Sequence, residues 1–179
     1  YTGPANDRSN AVLALELRTG KVRWFHQVVP GDAWNVGCMI GLDTCPEDAG
    51  PDYDIGSGTM LVSLPDGSDR ILVGLKSGMA IALDPDAPQK GELWENRVGR
   101  GSIQGGIQFG MSYDGQRVYV PIADMANAMD ASSAARDAAS GPPRPGLYAL
   151  SPATGELLWK TPADDVCYGR EFCDPGILA

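Results

Sequence analysis

The chain is short of the residues on which metal and nucleophile chemistry most often rests. It has one histidine, His26, and four cysteines in 179 residues. Cys38, Cys45, Cys167 and Cys173 show no C-x-x-C spacing, and His26 has no second histidine to join it, which excludes the usual zinc and dithiol patterns. No apolar run approaches the length of a membrane span; the longest, "MLVSL" (60–64) and "ILVGL" (71–75), are strand-sized. Cations are also scarce: 14 Lys and Arg stand against 23 Asp and Glu, a net charge of -9. That balance argues against nucleic acid or an anionic membrane as partner. There is no G-x-S-x-G and no P-loop. The G-x-G at Gly99 meets Gln104 where a dinucleotide fingerprint needs glycine.

What remains is ample for a globular domain. Hydrophobic residues make up 43% of the chain, enough for a core and too many for a disordered segment. Tyr1 opens the chain without methionine or leader, and "DPGILA" closes it, so both ends read as cuts through a longer protein. The cysteines form two local pairs, Cys38 with Cys45 and Cys167 with Cys173. Close pairing within loops predicts two disulfides and an oxidising compartment, the alternative being four separate thiols.

The strongest organising signal is repetition. Residues 14–24 read "ALELRTGKVRW", 82–94 read "ALDPDAPQKGELW" and 149–159 read "ALSPATGELLW". Each is an apolar strand, a Pro/Asp/Thr/Gly turn and a second strand with tryptophan. Trp24, Trp94 and Trp159 stand 70 and 65 residues apart, longer than the roughly 40–50 residues of a compact blade, so loops are inserted. Further strands are predicted at 58–64 and 70–75, and at 106–112 and 117–123, each pair joined by a short turn, "PDGSD" or "YDGQ". No segment of comparable strength reads as an amphipathic helix, although 132–140 has the composition for a turn or two.

Four antiparallel strands recurring in tandem predict an all-β chain, a fragment of a β-propeller. The expected division is a partial blade at about 11–28, whole blades at about 56–98 and 105–161, and the start of another at 162–179. The tryptophans belong to packing between blades rather than to chemistry.

Blade geometry sorts the loops. The turns joining the first to the second and the third to the fourth strand share one face and are short here. The other face receives 29–57, 123–145 and 162–179, nearly every long segment. One face plain and the other elaborated is the pattern of a scaffold carrying a site. On the elaborated face lie "GPDYDIGSG" (50–58), just before an innermost strand, and Lys76 in "GLKSG". Asp and Lys in turns are ordinarily solvated. Here Asp52, Asp54 and Lys76 are expected to converge beside the propeller axis.

The "ALxxxTGxxxW" units resemble the tryptophan-docking repeats of pyrroloquinoline quinone (PQQ) dependent alcohol dehydrogenases, eight-bladed periplasmic propellers. "GDAWNVGC", "GPDYDIGSG", "LKSGMAIALD" and "GSIQGGIQFG" more specifically resemble the polyvinyl-alcohol dehydrogenase branch. The resemblance implies oxidation of a polymeric or secondary alcohol, with PQQ and calcium, or a lanthanide, as cofactors and a cytochrome c as electron acceptor. It also implies a catalytic aspartate followed by a basic residue that touches the quinone. Trp34 precedes Asn35, which cannot serve as a carboxylate base. Lys76 follows Asp52 by 24 residues but Asn35 by 41, and the shorter interval is closer to the family's. The resemblance therefore assigns Asp52 as base and metal ligand, Lys76 as quinone contact and Asp54 as a further metal ligand. Proline precedes Asp52 where the family pattern has tryptophan. The alternative is a non-catalytic propeller of the same repeat, a protein-binding scaffold, which needs neither carboxylate nor lysine at the axis.

Overall fold

The structure, a computed structural model, describes residues 6–125, 141–163 and 170. Its strands are β1 (Ala11–Leu15), β2 (Val22–Gln27), β3 (Met60–Ser63), β4 (Asp69–Gly74), β5 (Met79–Leu83), β6 (Glu92–Arg97), β7 (Ser112–Tyr113), β8 (Val118–Ile122), β9 (Gly146–Leu150) and β10 (Leu157–Pro162). Among the described residues helix is confined to α1 (Val36–Ile40) and one 3-10 turn. No described helix is long and apolar enough to cross a membrane. The chain is all-β, as the repeats predict.

β1 and β2 form a two-stranded hairpin; β3-β4-β5-β6 and β7-β8-β9-β10 form two four-stranded sheets. All pairings are antiparallel between consecutive strands. Alternation explains the near-continuous apolar character of β4 and β5. Leu72, Ala80 and Ala82 face the second sheet, in a core with Ile107, Val118 and Val120. Val73, Ile81 and Leu83 face the hairpin, where Val12 and Trp24 meet them. A sheet covered on both faces can carry no polar side.

The tryptophan repeat is a joint between sheets. Trp94, on β6, lies against Gly155 in the β9–β10 turn, where a Cβ would come within 2.5 Å of the ring. Its indole N–H donates to the Pro152 carbonyl at 3.0 Å, and the Asn96 amide donates to the Gly155 carbonyl at 2.7 Å. Glycine at 155 is therefore a packing requirement as well as a turn residue, with φ 72°.

Two expectations need correcting. Residues 106–112 do not form a long strand; β7 holds only Ser112–Tyr113. Gly106 and Gly110 have φ of 66° and 113°, outside extended backbone. Ile107 instead donates its N–H to Leu75 O at 3.0 Å and is fully buried against Gly74. The segment 29–57 contains α1, which a search for amphipathic helices overlooks at five residues. Residues 132–140 and the pair Cys167 and Cys173 lie outside the described residues.

Candidate active site

The segment between β2 and β3 is organised from its base by Asp32. This buried carboxylate accepts the Trp34 N–H at 3.2 Å and the Tyr53 N–H at 2.9 Å, while Ala33 N–H donates to Ala49 O at 2.8 Å. The chain thus leaves and returns at one point. Gly50, at φ 82°, passes over Asp32 where a Cβ would lie 2.9 Å from its Cα. Between the two ends, the Cys38–Cys45 disulfide closes the excursion with Cα atoms 4.7 Å apart. Asn35 caps α1 by accepting the Gly37 N–H at 2.8 Å, and its amide donates to Thr44 O at 2.9 Å. Both faces of that amide are used, a task aspartate cannot perform. Asn35 is thus a loop clasp.

The returning strand lead carries the charged residues. Lys76 N–H donates to Asp54 O at 3.0 Å, and Ile55 bridges Leu75. This pairing sets the lead beside the β4–β5 turn. Lys76 Nζ donates to Asp52 Oδ2 at 3.2 Å and to Asp54 Oδ2 at 2.6 Å. The three side chains expected to converge do so. Asp52 is 7% exposed and stands at φ 60°, a left-handed conformation that non-glycine residues seldom adopt. Such conformations concentrate at functional positions.

Burial is the largest influence on Asp52 and pushes its carboxyl up to about 7; the charge of Asp54 adds to the rise, and the Lys76 ammonium opposes it. Burial also works against the charge on Lys76, but the hydrogen bond to Asp54 and the two negative charges outweigh it and raise its pKa. The ammonium stays protonated, and Asp52 is the member poised to exchange a proton near neutrality.

Asp124 lies beside the loop that follows β6. Its carboxylate is wholly buried and accepts N–H groups from Arg100 at 2.5 Å, Gly101 at 2.9 Å, Gly106 at 3.2 Å and Arg144 at 3.0 Å. That loop supports the site directly, because Ser102 N–H donates to Lys76 O at 3.2 Å and Gly106 packs on the same carbonyl. Sequence reasoning missed both Asp32 and Asp124. Each is a lone aspartate in a loop, indistinguishable in the sequence from a solvated turn residue.

Lys76 keeps one N–H donor for a polar ligand. Lysine has three N–H donors, and Asp52 and Asp54 occupy two of those on Lys76. Trp34 Nε1, Ser57 Oγ and Ser102 Oγ are buried without a partner among the described residues, Ser102 Oγ lying toward Gly105 and Ser57 Oγ toward Gly110. Calcium takes six to eight oxygens. Asp52 and Asp54 are already held by the ammonium, and no group of three or more potential ligands of the His, Cys, Asp or Glu types exists among the described residues. The two carboxylates do not make a calcium site by themselves.

Comparison with known proteins places this geometry in context. The chain is 39% identical, over 180 residues and 99% of its length, to a polyvinylalcohol dehydrogenase from a Pseudomonas species. It is likewise 39% identical, over 162 residues and 89% of its length, to a polyvinylalcohol dehydrogenase from Sphingopyxis sp. strain 113P3. It spans 26% and 23% of those relatives, about a quarter of each. No family model matches the chain. The crystal structure of BamB from Moraxella catarrhalis aligns with a TM-score of 0.43 at 15% identity, over 89% of this chain and 31% of that one, too slight a likeness to carry an inference.

Proposed function

The chain belongs to the family of these polyvinylalcohol dehydrogenases, and from that premise we propose that it supplies the proton-accepting sector of a PQQ-dependent alcohol dehydrogenase. The observation that carries the reading is the buried Asp52, with its pKa near 7, hydrogen-bonded to Lys76. In this reading the sheets are blades of a β-propeller, two complete and one partial, with the site beside its axis. The meander order of the strands and the tryptophan joint support that architecture.

Bound PQQ would supply a two-electron acceptor for the hydride that leaves the alcohol carbon. Asp52, ionised above about pH 7, takes the hydroxyl proton, and a base with its pKa close to ambient pH is well matched to that step. Lys76 orients Asp52, and its remaining N–H would hold bound PQQ, for which a fixed cation stabilises developing negative charge. Asp54 keeps Lys76 charged. Calcium or a lanthanide, if the enzyme uses one, must draw most of its oxygens from outside the described residues. The substrate is a polymeric or secondary alcohol, the electron acceptor a cytochrome c, and the location the periplasm, in keeping with the Cys38–Cys45 disulfide.

The test is reconstitution of the intact protein with PQQ, with and without calcium, followed by dye-linked oxidation of polyvinyl alcohol and a panel of small secondary alcohols. Turnover that requires PQQ is the expected result. Absence of turnover with every alcohol after reconstitution would overturn the enzyme reading in favour of a binding scaffold.

A further inference from the structure

The same inter-sheet cleft occurs twice in the molecule with opposite charge. One lies between the hairpin and the first sheet and is lined by Glu92, Glu95 and Arg97. The other lies between the two four-stranded sheets and is lined by Arg97, Arg144 and Lys160 above an apolar floor of Val98, Leu150 and Leu157. The strand register makes them equivalent. Glu95 pairs with Ile81 and Glu92 with Leu83; Lys160 pairs with Tyr148 and Leu157 with Leu150. Glu95 and Lys160 thus hold one position in the repeat, as do Glu92 and Leu157.

Among the described residues no carboxylate lines the second cleft, in a chain whose net charge is -9. None of its three cations has an ion-pair partner among the described residues. The Arg97 guanidinium donates to Ser77 O at 2.7 Å and to Arg100 O at 3.5 Å; Ser77 is a wall of the first cleft, so Arg97 turns that way and Arg144 and Lys160 are the cations left to the second. Glu92 of the first cleft, by contrast, is held by His26 at 2.8 Å. Because the repeat accepts either sign at this position, the fold does not dictate the cation at Lys160.

We propose that the cleft between the two four-stranded sheets is an anion site that takes a small organic dicarboxylate, its apolar body on Val98, Leu150 and Leu157 and its carboxylates on Arg144 and Lys160. Guanidinium groups hold carboxylates through paired hydrogen bonds, and the ammonium adds a point charge. The site is separate from Asp52 and Lys76 and stands independently of the dehydrogenase reading.

Calorimetric titration of adipate into the intact protein at low salt tests it. Adipate is expected to bind saturably at one site, more weakly as salt rises. Arg144→Gln and Lys160→Gln should each weaken binding by roughly ten-fold, the effect of losing one charge-assisted hydrogen bond. The double variant should abolish binding, while Glu95→Gln in the sister cleft should leave it in place. Failure of adipate to bind, or unchanged binding in the double variant, would overturn the proposal. So would equal binding of the neutral diamide adipamide. Inorganic phosphate binding as tightly as adipate would also overturn it, because the apolar floor would then contribute nothing.

Discussion

The two four-stranded sheets hold their strand leads by the same backbone bond but set different side chains at the equivalent positions. Asp54 O accepts the Lys76 N–H in the first sheet, and Gly106 O accepts the Ala123 N–H in the second. The pairings Ile71 with Leu83 and Val118 with Leu150 fix the same register. Asp52, Asp54 and Lys76 therefore correspond to Gln104, Gly106 and Ala123. One sheet carries two carboxylates and an ammonium; the other carries nothing ionisable at those places. The second sheet instead reaches in from the next residue, Asp124, whose carboxylate gathers four backbone N–H groups. The same joint can be built from neutral residues and one buried cap, so the charged version is not a structural necessity. Its cost is visible in the raised pKa of Asp52 and in its left-handed backbone.

The sharpest way to test that contrast is to remove the charge on each side. Asp52→Asn should retain the fold while turnover of the reconstituted enzyme falls by roughly 10²–10⁴-fold, the contribution of a general base. Gln104→Asp should not alter turnover. In the unmodified enzyme kcat/KM should climb as pH passes through about 7, the pKa of Asp52, and the variant should lose that inflection. Stability has the opposite slope. The folded chain holds the Asp52 proton more tightly than the unfolded chain, whose value is near 3.8, so stability should decline as pH rises from about 4 to about 7. Urea midpoints across that range should show the decline, and Asp52→Asn should flatten it.

Asp124→Asn is expected to destabilise the protein by roughly 2–4 kcal/mol, because an amide cannot accept four N–H groups and its own NH2 would face donors. A large fall in Tm with the pH inflection at 7 unchanged would mark it as the structural counterpart of Asp52. If the inflection moved instead, the two joints would be coupled rather than parallel.

A smaller effect is expected from the clasped excursion ahead of Asp52. Replacing Cys38 and Cys45 together by serine opens a loop of separation 7, which should cost about 2 kcal/mol of stability. Thermal melts with and without reductant check this. An equal loss from reductant in the double serine variant would show that the loop excursion is not the element responsible.

The same contrast explains what the sequence makes legible. Apolar runs bounded by turn residues locate β4 and β8 to within a residue, because buried strands leave a pattern that any window detects. Convergence of Asp52, Asp54 and Lys76 follows from topology, since a strand lead and a turn at one end of a sheet must be neighbours. Asp32 and Asp124 leave no such trace. Their role is to accept N–H groups from residues 18 to 24 positions away, and nothing local marks a carboxylate as buried. "GIQFG" misleads for a related reason: Ile107 is apolar because it plugs Gly74 from across a sheet boundary, not because it belongs to a ladder. The cap at Asn35 is the one missed feature with a local signature, an asparagine opening a short turn of helix.

The joint at Trp94 is directional: the first sheet supplies a ring, an indole N–H and an amide, and the next supplies a glycine and two carbonyls. A ring and two donors on one sheet meeting a glycine and two carbonyls on the next give the contact a head and a tail, so the two sheets cannot exchange places across it. The β5–β6 turn, which forms a 3-10 helix and leaves Gly91 with nothing within 4 Å, offers no second copy of the tail. The order of the sheets along the chain is thus written into the side chains of one strand and one turn.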